Sequence, residues 1–570
     1  MSRRRALASS SNFAMSGGRR TVRPWLYLVA YGVIALFLIL SHGLLLTLPY
    51  FWDEIGQFIP ASLDLFHSGS WIAHSTLPNV HPPGLMAYLA VVWKSFGYSI
   101  VATRVAMLLL AALGALFTFL LAIELARGTP GAPAFTALGF LCVSPLFFAQ
   151  SMLAQLDMPA MCFTALALLL FLQNRFRASA IACVALVLMK ETGLVAPLLF
   201  AAWLLWERRI RDAVWYCLPA VALAVWLVVL KRGTGHWFGN PEFAQYNLFY
   251  PLNPVRLGLA LLRRAYYLFI GSGHFIGTAA CIWAFRRMPI LGSRAWQVSA
   301  TFVALHSISV SMLGGAVLER YLLPALPILY TAFAVSLWSL LPRVRMWTVA
   351  ALLVCLCAAN FINPLYPFPL ENNLAFVDLV RLELRAAAAI EGAPGTVATT
   401  FPMADAFRLR EFGYVSSPRK VRVLPDFRPE SITPLRADPP DILIVYDPAW
   451  DPLGILTRGP DEWFMAKFYG YEPPLKAAEI AGVLSMRVAR HWERGGFSMS
   501  VLVRDSDEPH RRASNGPQSL PDIAANGKPV AGDPDFFNRN HRSPSQLRLV
   551  SNEHGIQNRY RGLGPAGFPP

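Results

Sequence analysis

Asp53 and Glu54 are the adjacent carboxylates in this chain that most invite chemistry. They open the stretch Phe51–Gly84, directly after an apolar run, Trp25–Pro49, long enough to cross a bilayer. An acidic side chain at the lip of a membrane span is costly to desolvate and is usually kept there by function. The competing reading is an ordinary solvated loop that begins with Asp-Glu. A carboxylate within hydrogen-bond reach of a hydroxyl can act as general base. Its neighbour would then order the loop or bind a donor or a metal.

Further polar groups recur at the ends of apolar runs. His81 precedes Pro82-Pro83-Gly84, and the two prolines stiffen the turn that presents it. In that position it can donate a hydrogen bond or ligate a metal, or simply mark the start of a helix. Asp157, in Gln155-Leu156-Asp157-Met158-Pro159, is placed to cap the following span or to face a cavity. Lys190 and Glu191 lie between two short apolar runs, where they can neutralise each other. A lysine at a helix end is also a sound site for a lipid phosphate. Glu319-Arg320-Tyr321 opens another span. Arg320 can fork onto two phosphate oxygens or snorkel to the membrane surface.

The elements that must hold these residues are membrane helices. The chain has 570 residues, 55% of them hydrophobic and only 15% charged, well below the charged quarter of a soluble domain. Apolar runs of about 20 residues recur as far as position 363, each able to span the hydrocarbon of a bilayer. They lack the short alternation of a β-barrel. The net charge of +16 would suggest nucleic acid in a soluble chain, but here most of the Lys and Arg sit in short loops between spans. No nucleic-acid partner is expected, and there is no Gly-rich phosphate loop or zinc-finger spacing. All seven cysteines fall inside apolar runs, so no disulfide framework is expected.

Orientation follows from the basic residues. The N-terminal tail carries Arg3, Arg4, Arg5, Arg19, Arg20 and Arg23 and reads as cytoplasmic. The first span, about 25–48, is a signal anchor that delivers Asp53 to the outer face. Gly84–Gly97 is short for a span and contains Lys94, so it reads as interfacial or re-entrant. Further spans run at about 101–125, 132–149, 158–173, 178–189, 192–206, 213–230, 265–285, 295–313, 321–340 and 346–362. With these eleven, the Arg-rich short turns stay inside. The weakest part is 178–206, which also reads as one broken helix. In this arrangement Asp53-Glu54, His81, Asp157, Lys190-Glu191 and Glu319-Arg320 all reach the outer face, where a single wet cavity would account for them together.

The loop 231–264 is rich in aromatics, among them Trp237, Phe238, Phe243 and Tyr246. It reads as an interfacial anchor or as a lid. Beyond Pro364 the chain turns soluble. A helix at 373–391 and strands at Thr396–Phe401, Val421–Leu424, Ile442–Tyr446, Met486–Ala489 and Met499–Val503 suggest a small α/β domain. The expected organisation is a cytoplasmic basic tail, 1–23, and a transmembrane domain, 24–363, with an outer loop at 49–100. An extracytoplasmic α/β domain, 370–505, and a disordered tail, 506–570, follow. The fold class is thus a polytopic α-helical membrane protein of about eleven transmembrane helices with a small C-terminal α/β domain.

The order of these motifs resembles the GT-C glycosyltransferases, and within them the protein O-mannosyltransferase and lipid A aminoarabinose transferase superfamily. The resemblance covers roughly residues 25–345. It rests on Asp53-Glu54, His81-Pro82-Pro83, Asp157-Met158-Pro159, Lys190-Glu191-Thr192-Gly193 and Glu319–Pro327 in sequence. Each motif is weak alone, and their order carries the likeness. His81, where the aminoarabinose enzymes have a basic residue before the prolines, resembles the mannosyltransferase version. The C-terminal region does not resemble the domain attached to eukaryotic protein mannosyltransferases.

The resemblance implies a GT-C-like fold in the bacterial inner (plasma) membrane, N-terminus inside and C-terminal domain outside. It implies a polyprenyl-phosphate sugar donor whose phosphate is held by Arg320 and Lys190, beside Tyr321. Asp53 would then deprotonate or orient an acceptor hydroxyl on a glycolipid, glycan or protein, with Glu54 beside it and inversion at the anomeric carbon. His81, Asp157, Glu191 and Glu319 would line the site. Some members use a divalent metal, for which His81, Glu54 and Asp157 could supply ligands, although their spacing is not diagnostic. The rival reading is a lipid or glycolipid flippase without transferase activity. That reading would favour mid-span charges and internal repeats, and neither is found.

Overall fold

The computed structural model describes residues 23–287, 292–456 and 459–504. All but the last residue of the basic N-terminal tail, and the whole of 506–570, lie outside the described residues. The helices in chain order are α1 (Pro24–Ser41), α2 (Ile59–Ser68), α3 (Gly84–Phe96), α4 (Ile100–Leu125), α5 (Pro133–Val143) and α6 (Pro145–Gln150). Next come α7 (Asp157–Leu172), α8 (Phe176–Met189), α9 (Val195–Trp206), α10 (Ile210–Ala213), α11 (Cys217–Thr234) and α12 (Pro241–Ala244). α13 (Pro254–Phe269), α14 (His274–Arg287), α15 (Arg294–Met312), α16 (Leu326–Trp338), α17 (Pro342–Ala358) and α18 (Ala375–Ile390) complete the set used below.

Helix occupies each of the eleven expected spans, but length is distributed unevenly. Among the described residues, five stretches are long and apolar enough to cross a membrane: Pro24–Ser41, Ile100–Leu125, Ile210–Thr234, Pro254–Arg286 and Glu319–Trp338. Gly84–Phe96, Pro133–Val143, Asp157–Leu172, Phe176–Met189 and Glu191–Trp206 are shorter apolar helices. The chain is a polytopic helical membrane protein with a C-terminal sheet.

Several helix breaks have local causes. The expected span 132–149 divides at Ser144, which is extended ahead of Pro145, because a proline clashes with helical geometry in the residue before it. The expected span 265–285 instead begins at Pro254 and breaks at Gly271-Ser272-Gly273, where Ser272 takes φ 54°. Much of the loop expected at 231–264 is therefore helical. The region 178–206 is the broken helix that its sequence allowed, with Lys190 extended between α8 and a 3-10 turn, Glu191–Leu194. α3 is a complete helix that begins against α8. A Cβ on Gly84 would collide with the carbonyl of Leu188, so only glycine permits this approach.

The C-terminal part holds a five-stranded sheet: β1 (Val397–Thr399), β2 (Val421–Val423), β3 (Ile442–Asp447), β4 (Met486–Arg494) and β5 (Phe497–Arg504), in the order β2-β1-β3-β5-β4. β2, β1 and β3 run parallel, whereas β5 pairs antiparallel with both β3 and β4. β3 is buried along Ile442–Tyr446, as expected of a central strand covered on both faces.

The sheet and the membrane helices share one apolar core. Phe51 packs on Phe376 of α18 at 5.5 Å between ring centroids. Trp52 meets Phe401 edge-on at 5.5 Å. The Tyr414 hydroxyl lies 2.8 Å from the Tyr50 carbonyl. All seven cysteines are free.

Glu383 of α18 is buried at the same junction, with Tyr414 as its hydrogen-bond partner at 2.8 Å, while its Oε1 finds none. Tyr414 has one hydroxyl proton and two acceptors in reach, Glu383 and the Tyr50 carbonyl. A protonated Glu383 settles the count by donating to the hydroxyl. Burial pushes the carboxyl up to about 8, against a smaller opposing effect of the Tyr414 hydrogen bond. Between the ordinary carboxylate value and about 8, the folded chain holds a proton that the unfolded chain releases. Stability therefore falls as pH rises through that window, by up to ~1.4 kcal/mol per pH unit. Glu383→Gln keeps a donor and removes the titration, so its thermal midpoint in detergent is expected to lose this slope. A slope equal to that of the parent protein would assign the proton elsewhere.

Candidate functional site

Seven of the nine expected site residues approach one another from separate elements. Asp53 follows Trp52, whose backbone sits in the left-handed region at φ 45°, a strained conformation for a bulky residue. Asp53 then leads into a π-helical turn, Glu54–Phe58. His81 occupies the turn before α3. Asp157 is the first residue of α7, where the helix dipole favours a negative charge. Lys190 caps the C-terminal end of α8, where the dipole favours a positive one. Arg320 and Tyr321 lie on a 3-10 turn, Glu319–Ala325, that precedes α16.

A cavity of about 380 Å³ is lined by Asp53, His81, Asp157, Lys190, Glu191, Arg320 and Tyr321 together. Its apolar wall includes Trp52, Phe58 and Phe401, and the segment 238–248 contributes Phe238, Phe243 and Tyr246. The aromatic loop is thus part of the wall. It is fastened there by Asn247, whose backbone and side-chain oxygens accept the amides of Gly314 and Gly315 at 2.8 and 3.1 Å.

Arg320 is the hub of this cavity. Its Nη2 donates to Asp53 Oδ2, its Nε lies 3.3 Å from Asp157 Oδ2, and its Nη1 lies 2.9 Å from Glu371 Oε1. Lys190 donates to the other Asp157 oxygen and stands over the Tyr321 ring, 4.1 Å from its centroid, a cation–π contact. His81 Nδ1 meets Glu191 Oε2 at 2.9 Å. Asp53 is the more open member of its pair, its side chain 18% exposed against 5% for Arg320.

Two expected site residues lie elsewhere. Glu54 points away from the cavity, fully buried against Arg104 of α4 at 2.5 and 3.1 Å. It also accepts the backbone amides of Phe51 and Ala154 at 2.8 and 2.6 Å. It is therefore a strut that shapes the first loop, and the catalytic pairing with Asp53 is corrected. The π-helical turn sends two sequence neighbours in different directions. Glu319 is outside the cavity lining as well. It accepts from Arg263 of α13 at 2.5 Å and from Asn372 at 2.7 Å, bracing the turn that carries Arg320.

Asp157 does not cap α7, since Leu156 precedes the helix and no side chain caps it. The ligand set considered for a divalent metal is dispersed: His81 faces Glu191, Glu54 faces Arg104 and Asp157 faces Lys190 and Arg320. Among the described residues no group of three or more His, Cys, Asp or Glu side chains is placed to hold a metal ion.

Sequence reasoning missed Glu371 and Arg104. Arg104 left a signal, a charged side chain four residues inside a 26-residue apolar helix. Glu371 left none, because it follows a Pro-rich stretch and is brought in by Asn372 and by Gln155, which donates to it at 3.1 Å.

The arrangement defines a helical membrane protein with a charged, partly apolar cavity at the junction of its helices and its C-terminal region. No family model matches the chain, and no curated protein matches it. Among solved structures it is similar to ArnT from Cupriavidus metallidurans bound to undecaprenyl phosphate, at 16% identity and TM-score 0.49, covering 84% of this chain and 98% of that one. It is also similar to the archaeal oligosaccharyltransferase AglB from Archaeoglobus fulgidus in complex with an inhibitory peptide and a dolichol-phosphate. That likeness has 10% identity and TM-score 0.42, covering 74% and 69% of the two chains.

Proposed function

We propose that the chain is a membrane glycosyltransferase that moves a sugar from a polyprenyl-phosphate donor to a hydroxyl-bearing acceptor. The carrying observation is the convergence of five separate polar stretches, those of Asp53, His81, Asp157, Lys190-Glu191 and Arg320-Tyr321, on one cavity. The order of the same motifs resembles the GT-C enzymes. Arg320 and Lys190 hold the donor phosphate, since a guanidinium and an ammonium side by side suit two phosphate oxygens. Tyr321 keeps Lys190 in place through its ring. The aromatic wall accepts the first isoprene units and the sugar.

Asp53 is the base. Its Oδ2 is held by Arg320, which fixes the carboxylate, while Oδ1 takes no hydrogen bond from the described residues and is left for an acceptor proton. Attack from the face opposite the phosphate inverts the anomeric carbon in one step, and a phosphate leaving group needs little acid help. The reading places the protein in the bacterial inner membrane with the N-terminus in the cytoplasm and the cavity opening outside. Asp53→Asn is expected to lower transfer of radiolabelled sugar from polyprenyl phosphate in membranes by roughly 10²–10⁴-fold. Near-full transfer by that variant would remove Asp53 from the reaction.

A further inference from the structure

The charge balance of the cavity raises a difficulty for an anionic donor. Lys190 and Arg320 pair directly with three carboxylates, Asp53, Asp157 and Glu371; the buried Arg264 also acts on Asp157, Glu242 adds a carboxylate to the cavity lining, and His81 meets Glu191. His81 is committed to Glu191. With these included, four carboxylates, Asp53, Asp157, Glu242 and Glu371, stand against three cations, Lys190, Arg264 and Arg320, and a lipid phosphate adds a further negative charge. Away from bulk water such an excess is expensive, so neutralising one buried carboxylate favours the bound donor.

The contacts single out which one. Asp157 has two cations, Lys190 and Arg320. Asp53 has Arg320 and opens to the cavity, where water can solvate it. Glu371 is buried and, among the described residues, has Arg320 as its one ion-pair partner. The charged groups that act on it most strongly are Arg320 from the 3-10 turn, Asp53 from the first loop and Asp157 from the start of α7. Its other side-chain partner is the Gln155 amide. An incoming phosphate therefore competes with Glu371 for the same guanidinium, and among the described residues Glu371 has no second ion-pair partner to fall back on.

We propose that Glu371 is a positioning residue that trades Arg320 for a proton, so that lipid phosphate binding draws one proton from solvent into the site. In the empty cavity the ionised Glu371 holds the guanidinium in place. When the phosphate takes the Nη1 side of Arg320, the Glu371 carboxylate accepts a proton, and the resulting acid can donate to a phosphate oxygen. Burial raises the carboxyl to about 7, outweighing the pull of Arg320, and Asp53 and Asp157 push in the same direction as burial. Protonation near neutral pH is thus within reach.

This inference rests on the donor reading given under Proposed function. Its test is calorimetry of undecaprenyl phosphate binding to the purified full chain in detergent, in two buffers of unlike ionisation enthalpy, about one pH unit above the Glu371 midpoint. The wild-type protein is expected to take up close to one proton per lipid bound. Glu371→Gln is expected to bind with no uptake. Wild-type affinity should also fall by up to tenfold per pH unit above the midpoint, a profile that needs no variant to fold. Binding without proton uptake, or equal uptake by the Gln variant, overturns the role of Glu371 and leaves the donor reading standing. Absence of any undecaprenyl phosphate binding overturns the donor reading and this inference with it.

Discussion

Arg320→Ala is expected to reduce sugar transfer by roughly 10³-fold or more, because under the proposed function the donor phosphate would lose its forked partner at the centre of the cavity. The same substitution strips Asp53, Asp157 and Glu371 of the guanidinium they share. Removing one partner of a buried ion pair costs about 3–5 kcal/mol, so the thermal midpoint should fall as well. Arg320→Lys separates the two effects. It restores a positive charge and much of the midpoint, but an ammonium cannot replace the fork, so transfer stays low. Both readouts belong on the same detergent preparation. An alanine variant that transfers sugar at close to the parent rate would remove Arg320 from donor binding.

The second large effect lies outside the cavity. Arg104 donates to both oxygens of Glu54 and to the carbonyls of Leu48, Pro49 and Met152. Its side chain and that of Glu54 are both completely buried. Arg104→Met leaves Glu54 charged and uncompensated in an apolar core, at a cost of about 3–5 kcal/mol. Little folded protein should survive heating followed by size-exclusion chromatography. Pairing it with Glu54→Met removes the stranded charge and should recover part of the loss, with the carbonyls and the amides of Phe51 and Ala154 still unsatisfied. A single variant with an unchanged midpoint would show that the pair carries no weight.

The site was legible where charge met hydropathy. Asp53, His81, Asp157, Lys190 and Arg320 interrupt apolar runs, and the cost of desolvating them marks them in the sequence alone. What the sequence could not separate was Asp53 from Glu54, or Glu319 from Arg320. Each pair occupies one turn, and the local backbone decides which member faces the cavity. Glu371 was illegible for another reason: its place depends on long-range contacts with Arg320, Gln155 and Glu319 through Asn372. The five strands could be read as short strand-like runs, and α18 from its helical spacing. The breaks at Ser144 and Gly271–Gly273 could be traced to Pro and Gly, yet hydropathy averaged over a window passed across them.

Because Trp52 leans on Phe401, Tyr414 reaches Tyr50 and Glu371 stands beside Arg320, the C-terminal region helps to form the wall of the cavity. Grafting that region from a relative would replace part of the chamber along with it. Under the proposed function, an exchange of acceptor preference by chimera would therefore have to carry the first loop, residues 49–58, and the 370–414 segment together, as the two halves of one mould.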